Sequence, residues 1–220
     1  TFGSITKPVV TPDAGYTFTG WNVANTTKIT SDITATAQYK ANTNTAYKVE
    51  HYTENLTSGY TLIDTENKTG TTDTLTNAVA KTLAGFTVQS FSQANINGNG
   101  STVIKIYYSR NLYNLTFNPD NGGSLITSMV KYGATISAPS VTKTGYTFVA
   151  WTPSVPSTMP ATDSTYKATW TINSHSLTIN YKYSNGTVAG TQYSHSYNYN
   201  AGYSVTSPVI AGYTADKLIV

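Results

Sequence analysis

The 220-residue sequence has no cysteine, and only 10% of its residues are charged. Disulfides are therefore excluded as staples of small domains. The formal charge of +3 comes from scattered lysines and one arginine, which is too weak for a groove that follows phosphates. Nucleic acid is excluded as an expected partner. No apolar run approaches the ~20 residues that a membrane-spanning helix needs, so we expect no membrane span.

Threonine, tyrosine and asparagine are abundant, with 41 Thr, 18 Tyr and 19 Asn. Threonine and tyrosine favour strands, and asparagine and glycine favour the turns between them. Strong helix formers are scarce. The composition predicts a mainly β protein with very little helix. A charge-poor, cysteine-free chain of this kind also favours the exterior of a bacterium over the cytoplasm.

A glycine-aromatic-threonine motif occurs four times, at intervals of 60 to 70 residues. Repetition at such a period is typical of small modules in tandem. The four copies are Gly15–Thr17, Gly85–Thr87, Gly145–Thr147 and Gly212–Thr214. They predict four modules, at residues 1–42, 43–110, 111–171 and 172–220. Because the connecting stretches are only a few residues long, we expect these modules to form an elongated, semi-rigid rod.

The module at 111–171 shows the pattern best. An alternating segment ends in Asn118–Gly123, whose residues suit a tight reversal, and Ile126–Tyr132 leads the chain back, so a β-hairpin is predicted. Aromatic residues recur at matching places in residues 1–40, where the opening hairpin is missing. We therefore expect a fragment of a longer chain, or a subunit completed by a neighbouring copy. The predicted core residues are Trp21, Trp151, Trp170, Phe117, Tyr146 and Phe148.

Residues 113–170 combine an Asn-Gly-Gly hairpin, Tyr132-Gly133, Gly145-Tyr146-Thr147-Phe148 and a closing aromatic, and this combination resembles the Listeria–Bacteroides repeat, also called the internalin B-repeat. Residues 1–39 resemble its later half. Residues 177–220 are similar to MucBP (mucin-binding protein) repeats, and residues 47–110 resemble a related module. These resemblances imply β-grasp-like modules of a bacterial surface protein, often anchored in the cell wall, and they imply no enzyme.

Candidate metal and catalytic residues are few. His51 lies between Glu50 and Glu54, but no nucleophile or second ligand accompanies it, so a structural role is favoured over a base or a metal ligand. His175 and His195 lack close metal-ligand spacing. Asp120–Gly123 could suggest a calcium loop, yet a hairpin turn explains every residue. We predict no catalytic residue, metal or cofactor. Lysines near asparagine and acidic residues leave intramolecular isopeptide crosslinks open, but the sequence does not place the three side chains together.

The favoured function is a stalk or spacer that holds an adhesive domain away from the cell. One alternative is direct binding of mucin or other glycans, for which aromatic faces and amides are suitable; its candidate residues are Tyr193, Tyr197, Tyr199 and Tyr203. Cross-strand packing of these tyrosines is the favoured interpretation. A second alternative is a subunit of an extracellular filament, completed by neighbouring copies of the same chain.

Overall fold

The computed structural model describes residues 1–220 and consists of short strands joined by turns, with one 3₁₀ turn at Phe2–Ser4. It contains no α-helix. The strand-dominated fold predicted from the composition is therefore confirmed. In chain order, the strands are β1 (Tyr16–Trp21), β2 (Ala37–Ala41), β3 (Thr45–Glu54), β4 (Tyr60–Gly70), β5 (Phe86–Val88), β6 (Val103–Arg110), β7 (Leu112–Asn118), β8 (Ile126–Lys131), β9 (Tyr146–Thr152), β10 (Ser164–Ile172), β11 (Ser174–Ile179) and β12 (Tyr193–Asn198).

The strands form four small sheets that follow one another along the chain. The first sheet pairs β1 with β2, and the fourth pairs β11 with β12. The second sheet has the order β4-β3-β6-β5, and the third has the order β8-β7-β10-β9. Several separate sheets agree with the predicted succession of small β units.

The second and third sheets share one topology. In each sheet, the strand that comes first in the chain and the strand that comes last are parallel neighbours at the centre of the sheet. These strands are β3 and β6 in the second sheet and β7 and β10 in the third. The last strand then pairs antiparallel with the strand before it. No helix covers either sheet. The β-grasp-like detail stays a prediction.

Each of these sheets carries its own buried cluster. In the second sheet, Val49, Ile104, Ile106 and Tyr108 are buried with Ile96 from the long connection between β5 and β6. In the third sheet the cluster consists of Leu115, Phe117, Ile136, Met159 and Tyr166. Because the two clusters are separate, each sheet has a hydrophobic core of its own.

The predicted core residues differ in burial. Phe117 is 3% exposed and its ring lies 4.8 Å from that of Trp151, which is half-buried against the same cluster. Trp21, Tyr146 and Trp170 are half-buried, and the indole N–H of Trp170 donates to the carbonyl of Pro119 at 2.9 Å. Phe148 departs from the expectation because 38% of its surface is exposed.

A β-bulge accounts for the position of Phe148. The pairing of β9 with β10 skips Val149, so that Phe148 and Trp151 share a face and their rings lie 5.7 Å apart. On that face Phe148 packs against Trp151 and Trp170, outside the buried cluster. The same irregularity follows Phe18 in β1, whose ring lies 5.9 Å from that of Trp21. Bulges of this kind re-aim side chains locally.

The chain divides into two compact units. Unit 1 comprises residues 1–112 with 131–133, and unit 2 comprises residues 113–130 with 134–220. Unit 1 contains the first and second sheets. Unit 2 contains most of the third sheet and the fourth. No helix is long and apolar enough to cross a membrane.

Candidate functional sites

The largest group of potential metal ligands lies on the second sheet. His51, on β3, is fully buried, and β4 presents Asp64 and Glu66 to it, so that ligand atoms of all three lie within 4.8 Å of one another. Sequence reasoning had placed Glu50 and Glu54 beside this histidine. Those carboxylates belong to other contacts, because cross-strand pairing brings a different strand to His51.

The imidazole of His51 has a partner at each nitrogen. Nδ1 lies 2.8 Å from the hydroxyl of Tyr108, and Nε2 lies 3.2 Å from Oε1 of Glu66. The hydroxyl of Tyr108 also accepts a 2.7 Å hydrogen bond from the backbone N–H of Lys81. A buried polar group is tolerated when its hydrogen bonds are made. His51 is therefore held as part of the interior of the sheet.

Lys81 supplies the cation of this cluster. Its ammonium contacts Oδ2 of Asp64 and lies 3.3 Å from Oε1 of Glu66. The ion pair with Asp64 raises the pKa of Lys81, and the same contact lowers the pKa of Asp64. Lys68, 2.9 Å from Oε2 of Glu66, lowers the pKa of that carboxyl. Because an ammonium already faces both carboxylates, the arrangement favours an ion-pair network over a metal site.

The same pKa shifts bear on isopeptide chemistry. Lys81, Asp64 and Glu66 form the kind of lysine and carboxyl cluster that such a crosslink requires. Amide formation needs an uncharged amine and a protonated carboxyl. A raised pKa for Lys81 and a lowered pKa for Asp64 favour the opposite, charged forms. These groups therefore favour a salt bridge.

The loop at Asp120 is a turn with internal bonds. Oδ1 of Asn118 accepts from the N–H of Asp120, and Oδ1 of Asn121 accepts from the N–H of Gly123, each at 2.9 Å. The carboxylate of Asp120 lies 3.1 Å from the ammonium of Lys167. Its polar groups thus have partners within the chain, which favours the turn over calcium.

A second polar cluster in unit 1 surrounds the single arginine of the sequence. Nε of Arg110 donates to the carbonyl of Glu54 at 2.7 Å, and Nη1 donates to the carbonyl of Tyr132 at 2.8 Å. The Glu54 carboxylate accepts from the N–H of Arg110 at 2.7 Å and from the ammonium of Lys131 at 2.6 Å. The bond from Lys131 contributes most to lowering the pKa of Glu54. Sequence reasoning missed this cluster, whose members are far apart in the chain.

The candidate glycan-binding tyrosines do not form one surface. The hydroxyls of Tyr193 and Tyr197, on β12, lie 2.7 Å apart, and the ring of Tyr203 lies 5.9 Å from that of Tyr197. His195 belongs to the same row, with its ring 4.8 Å from that of Tyr197. Tyr199 stands apart, because its ring covers Gly145. We call Tyr193, His195, Tyr197 and Tyr203 the aromatic row.

Comparison with known proteins identifies two of the repeats. Residues 113–175 match the Listeria-Bacteroides repeat domain, and residues 3–47 match the divergent InlB B-repeat domain. No curated protein matches the chain. The MucBP-like interpretation of the other repeats stays a prediction. No catalytic family is indicated, and repeat domains of this kind are generally structural. The chain therefore carries repeats of the Listeria-Bacteroides and InlB B-repeat type, which are typical of bacterial surface proteins.

Proposed function

We propose that this chain is a structural spacer within an extracellular, cell-wall-associated adhesin of a bacterium. Its repeats supply length between the wall and a domain that binds elsewhere. The two matched repeats, which are typical of surface proteins, support this proposal. Adhesion itself is assigned to other parts of such a protein.

The observation that carries the proposal is the recurrence of one small sheet with its own core. The second and third sheets have the same strand order and bury separate clusters. Stability in such a chain is a sum over repeats and their contacts, and adding repeats adds length without changing the fold. An enzyme of this size usually devotes its chain to one core around one pocket.

Stretching single molecules tests the proposal. Because the sequence lacks cysteine, Thr1→Cys and Val220→Cys provide two unique attachment points for handles. We expect separate unfolding events, each releasing about 200 Å when ~60 residues extend at ~3.3–3.6 Å per residue. If the chain extended without discrete unfolding events, at forces under which folded domains normally stay intact, the proposal of a load-bearing spacer would be refuted.

Glycan binding is a second candidate, favoured by the aromatic row. Rings stack on the C–H faces of sugars. The hydroxyls of Tyr193 and Tyr197 bond to each other, and the one that accepts this bond still has its own proton to donate to a sugar oxygen. On a glycan array the full chain should then bind, and Tyr197→Ala with Tyr203→Ala should abolish the signal. Tyr213→Ala is the matched control, since Tyr213 is 65% exposed and lies outside the row.

Assembly of copies is a third candidate, favoured by two unpaired edges. β11 pairs with β12, and β2 pairs with β1. In the third sheet, β7 and β10 are parallel neighbours. Neither β11 nor β2 has such a parallel neighbour. Open edges of this kind accept strands from other chains. Sedimentation over a wide concentration range would show concentration-dependent growth if copies complete one another, and a constant monomer mass if they do not.

A further inference from the structure

Three of the four repeated glycines accept the same hydrogen bond. In each case the donor is the backbone N–H of an asparagine that follows the strand paired with the motif. The pairs are Asn42 to Gly15 at 2.8 Å, Asn111 to Gly85 at 2.9 Å and Asn173 to Gly145 at 2.9 Å. All three asparagines are half-buried.

The side chain of each asparagine binds the threonine of the motif. The hydroxyls of Thr17, Thr87 and Thr147 donate to Oδ1 of the respective asparagine at 2.6 Å in every copy. The threonine therefore has a specific role, and its recurrence is explained by this bond in addition to its preference for strands.

The carbonyl of each asparagine accepts a third bond from a corner after the next hairpin. The donors are the N–H groups of Thr72, Tyr132 and Tyr199, at 2.9, 2.8 and 2.7 Å. Each donor is followed by a residue with positive φ, namely Asp73 (62°), Gly133 (77°) and Asn200 (60°). The same backbone corner thus meets the same asparagine atom three times.

The corner also covers the glycine. A Cβ on Gly85 would lie 2.3 Å from the ring of Tyr132, and a Cβ on Gly145 would lie 2.0 Å from the ring of Tyr199. A Cβ on Gly15 would lie 2.4 Å from Cα of Gly98 and 2.5 Å from Oγ1 of Thr72. No residue with a side chain fits at these distances.

The glycine of the fourth motif has the same backbone conformation as the others. Gly212 has φ of 79°, close to the 78° of Gly145, so both glycines make the same local turn. An added Cβ on Gly212 would meet nothing within 4 Å.

We propose that the glycine-aromatic-threonine motif, the asparagine and the following corner form a clasp that fixes consecutive sheets of one unit to each other. The clasp at Asn42 joins the first sheet to the second within unit 1, and the clasp at Asn173 joins the third to the fourth within unit 2. The asparagine is the positioning residue. Its partner is a backbone corner in which a tyrosine or threonine is followed by a residue with positive φ. This inference rests on the proposed spacer function, for which it supplies the source of stiffness.

Hydrogen exchange in the full chain tests the clasp at Asn173. Asn173→Ala removes the acceptor of the Thr147 hydroxyl but leaves the backbone carbonyl that binds Tyr199. If the side chain positions that carbonyl, the amide of Tyr199 exchanges roughly three- to tenfold faster, the effect of losing about one hydrogen bond. Asn185→Ala is the control, because it loses a similar 2.6 Å bond from Thr187 away from the clasp. Equal exchange of Tyr199 in the two variants would overturn the proposal.

A glycine pair gives an independent test that does not depend on how stretching experiments turn out. Gly145→Ala and Gly212→Ala impose the same backbone strain, since their φ values agree within a degree. Only the former displaces a ring. The clasp predicts a larger fall in melting temperature and loss of the ring-current shift of Tyr199 for Gly145→Ala. Equal effects of both variants would show that the turn alone matters and would refute the clasp.

Discussion

The second and third sheets have the same strand order around different interiors. In each, the first strand lies beside the last, but one interior position of the first strand holds His51, next to Val49, in the second sheet and Phe117, next to Leu115, in the third. His51 lies opposite Ile106 and bonds to Tyr108, whereas Phe117 lies opposite Tyr166 and packs on Trp151. One topology therefore accepts a hydrogen-bonded histidine or an aromatic ring at this interior position.

This difference shows what the topology requires of its core. A buried aromatic contributes through its area and its shape. A buried histidine contributes only while its partners are present, because an unsatisfied polar group is costly. At this position the two sheets should therefore fail for different reasons: the third when the volume of Phe117 is removed, and the second when a hydrogen-bond partner of His51 is removed.

The largest effect is expected from removing volume in the third sheet. Phe117→Ala leaves a cavity among Trp151, Tyr166 and Met159, and should lower the free energy of unfolding by about 3–5 kcal/mol. Thermal denaturation of the full chain followed by the indole signals of Trp151 and Trp170 measures it. Phe148→Ala is the matched control, because Phe148 is 38% exposed, and its cost should be clearly smaller. If both variants lowered the free energy of unfolding equally, Phe117 would not be a core residue of the third sheet.

A smaller effect is expected from removing a partner in the second sheet. His51→Phe keeps an aromatic ring at the site but removes the bond between Nδ1 and the buried hydroxyl of Tyr108, at a cost of about 1–3 kcal/mol. Adding Tyr108→Phe should then cost less than it does in the wild-type chain, because the hydroxyl has already lost its bond to His51 and keeps only the one from the N–H of Lys81. A double-mutant cycle by chemical denaturation measures this coupling. Strictly additive costs would contradict the hydrogen-bonded interior.

Acid should distinguish the two units. Unit 1 holds three carboxyls with lowered pKa, Glu54, Asp64 and Glu66, while unit 2 holds Asp163, whose pKa is lowered by bonds from Asn114. A lowered folded pKa contributes stability that is present above the unfolded value, ~4 for these groups, and is lost as the pH falls through the folded pKa. Unit 1 should therefore lose more stability on acidification.

The indole N–H signal of Trp21 reports on unit 1, and those of Trp151 and Trp170 report on unit 2. In an NMR titration at a temperature near the midpoint of unfolding, the Trp21 signal should change at the higher pH. Glu54→Gln should reduce the difference, because it removes the carboxylate that pairs with Lys131. Coincident transitions in the wild-type chain would contradict this assignment of charges.

Much of the fold could be predicted from local patterns in the sequence. Alternation and turn residues predict the hairpin of β7 and β8, and the structure places its strands at Leu112–Asn118 and Ile126–Lys131. The sequence predicts Phe148 in the core with Trp151; a bulge at Val149 does place the two on one face, but Phe148 lies outside the buried cluster and stays partly exposed. Local sequence patterns predict where strands lie better than they predict which side chains of a strand are buried.

The sites depended on contacts that sequence spacing hides. The glycine-aromatic-threonine repeat is visible in the sequence, but its asparagine partner lies 24 to 26 residues after the threonine, as between Thr87 and Asn111 or Thr147 and Asn173. Proximity in the sequence groups Tyr199 with Tyr197, whereas the ring of Tyr199 covers Gly145. Long-range pairing decides such partners, and one sequence does not reveal it.

The central claim is that clasps hold successive sheets in a fixed relation, and the distance between two spin labels in unit 1 tests it directly. Gln38→Cys on β2 and Asn67→Cys on β4 are exposed positions in a chain without native cysteine. We expect one narrow distance distribution, which Asn42→Ala broadens. Asn55→Ala, which loses a comparable bond from Thr61 within the second sheet, should leave it narrow. A distribution that stays equally narrow in Asn42→Ala, or that is already broad with Asn42 in place, would contradict the account.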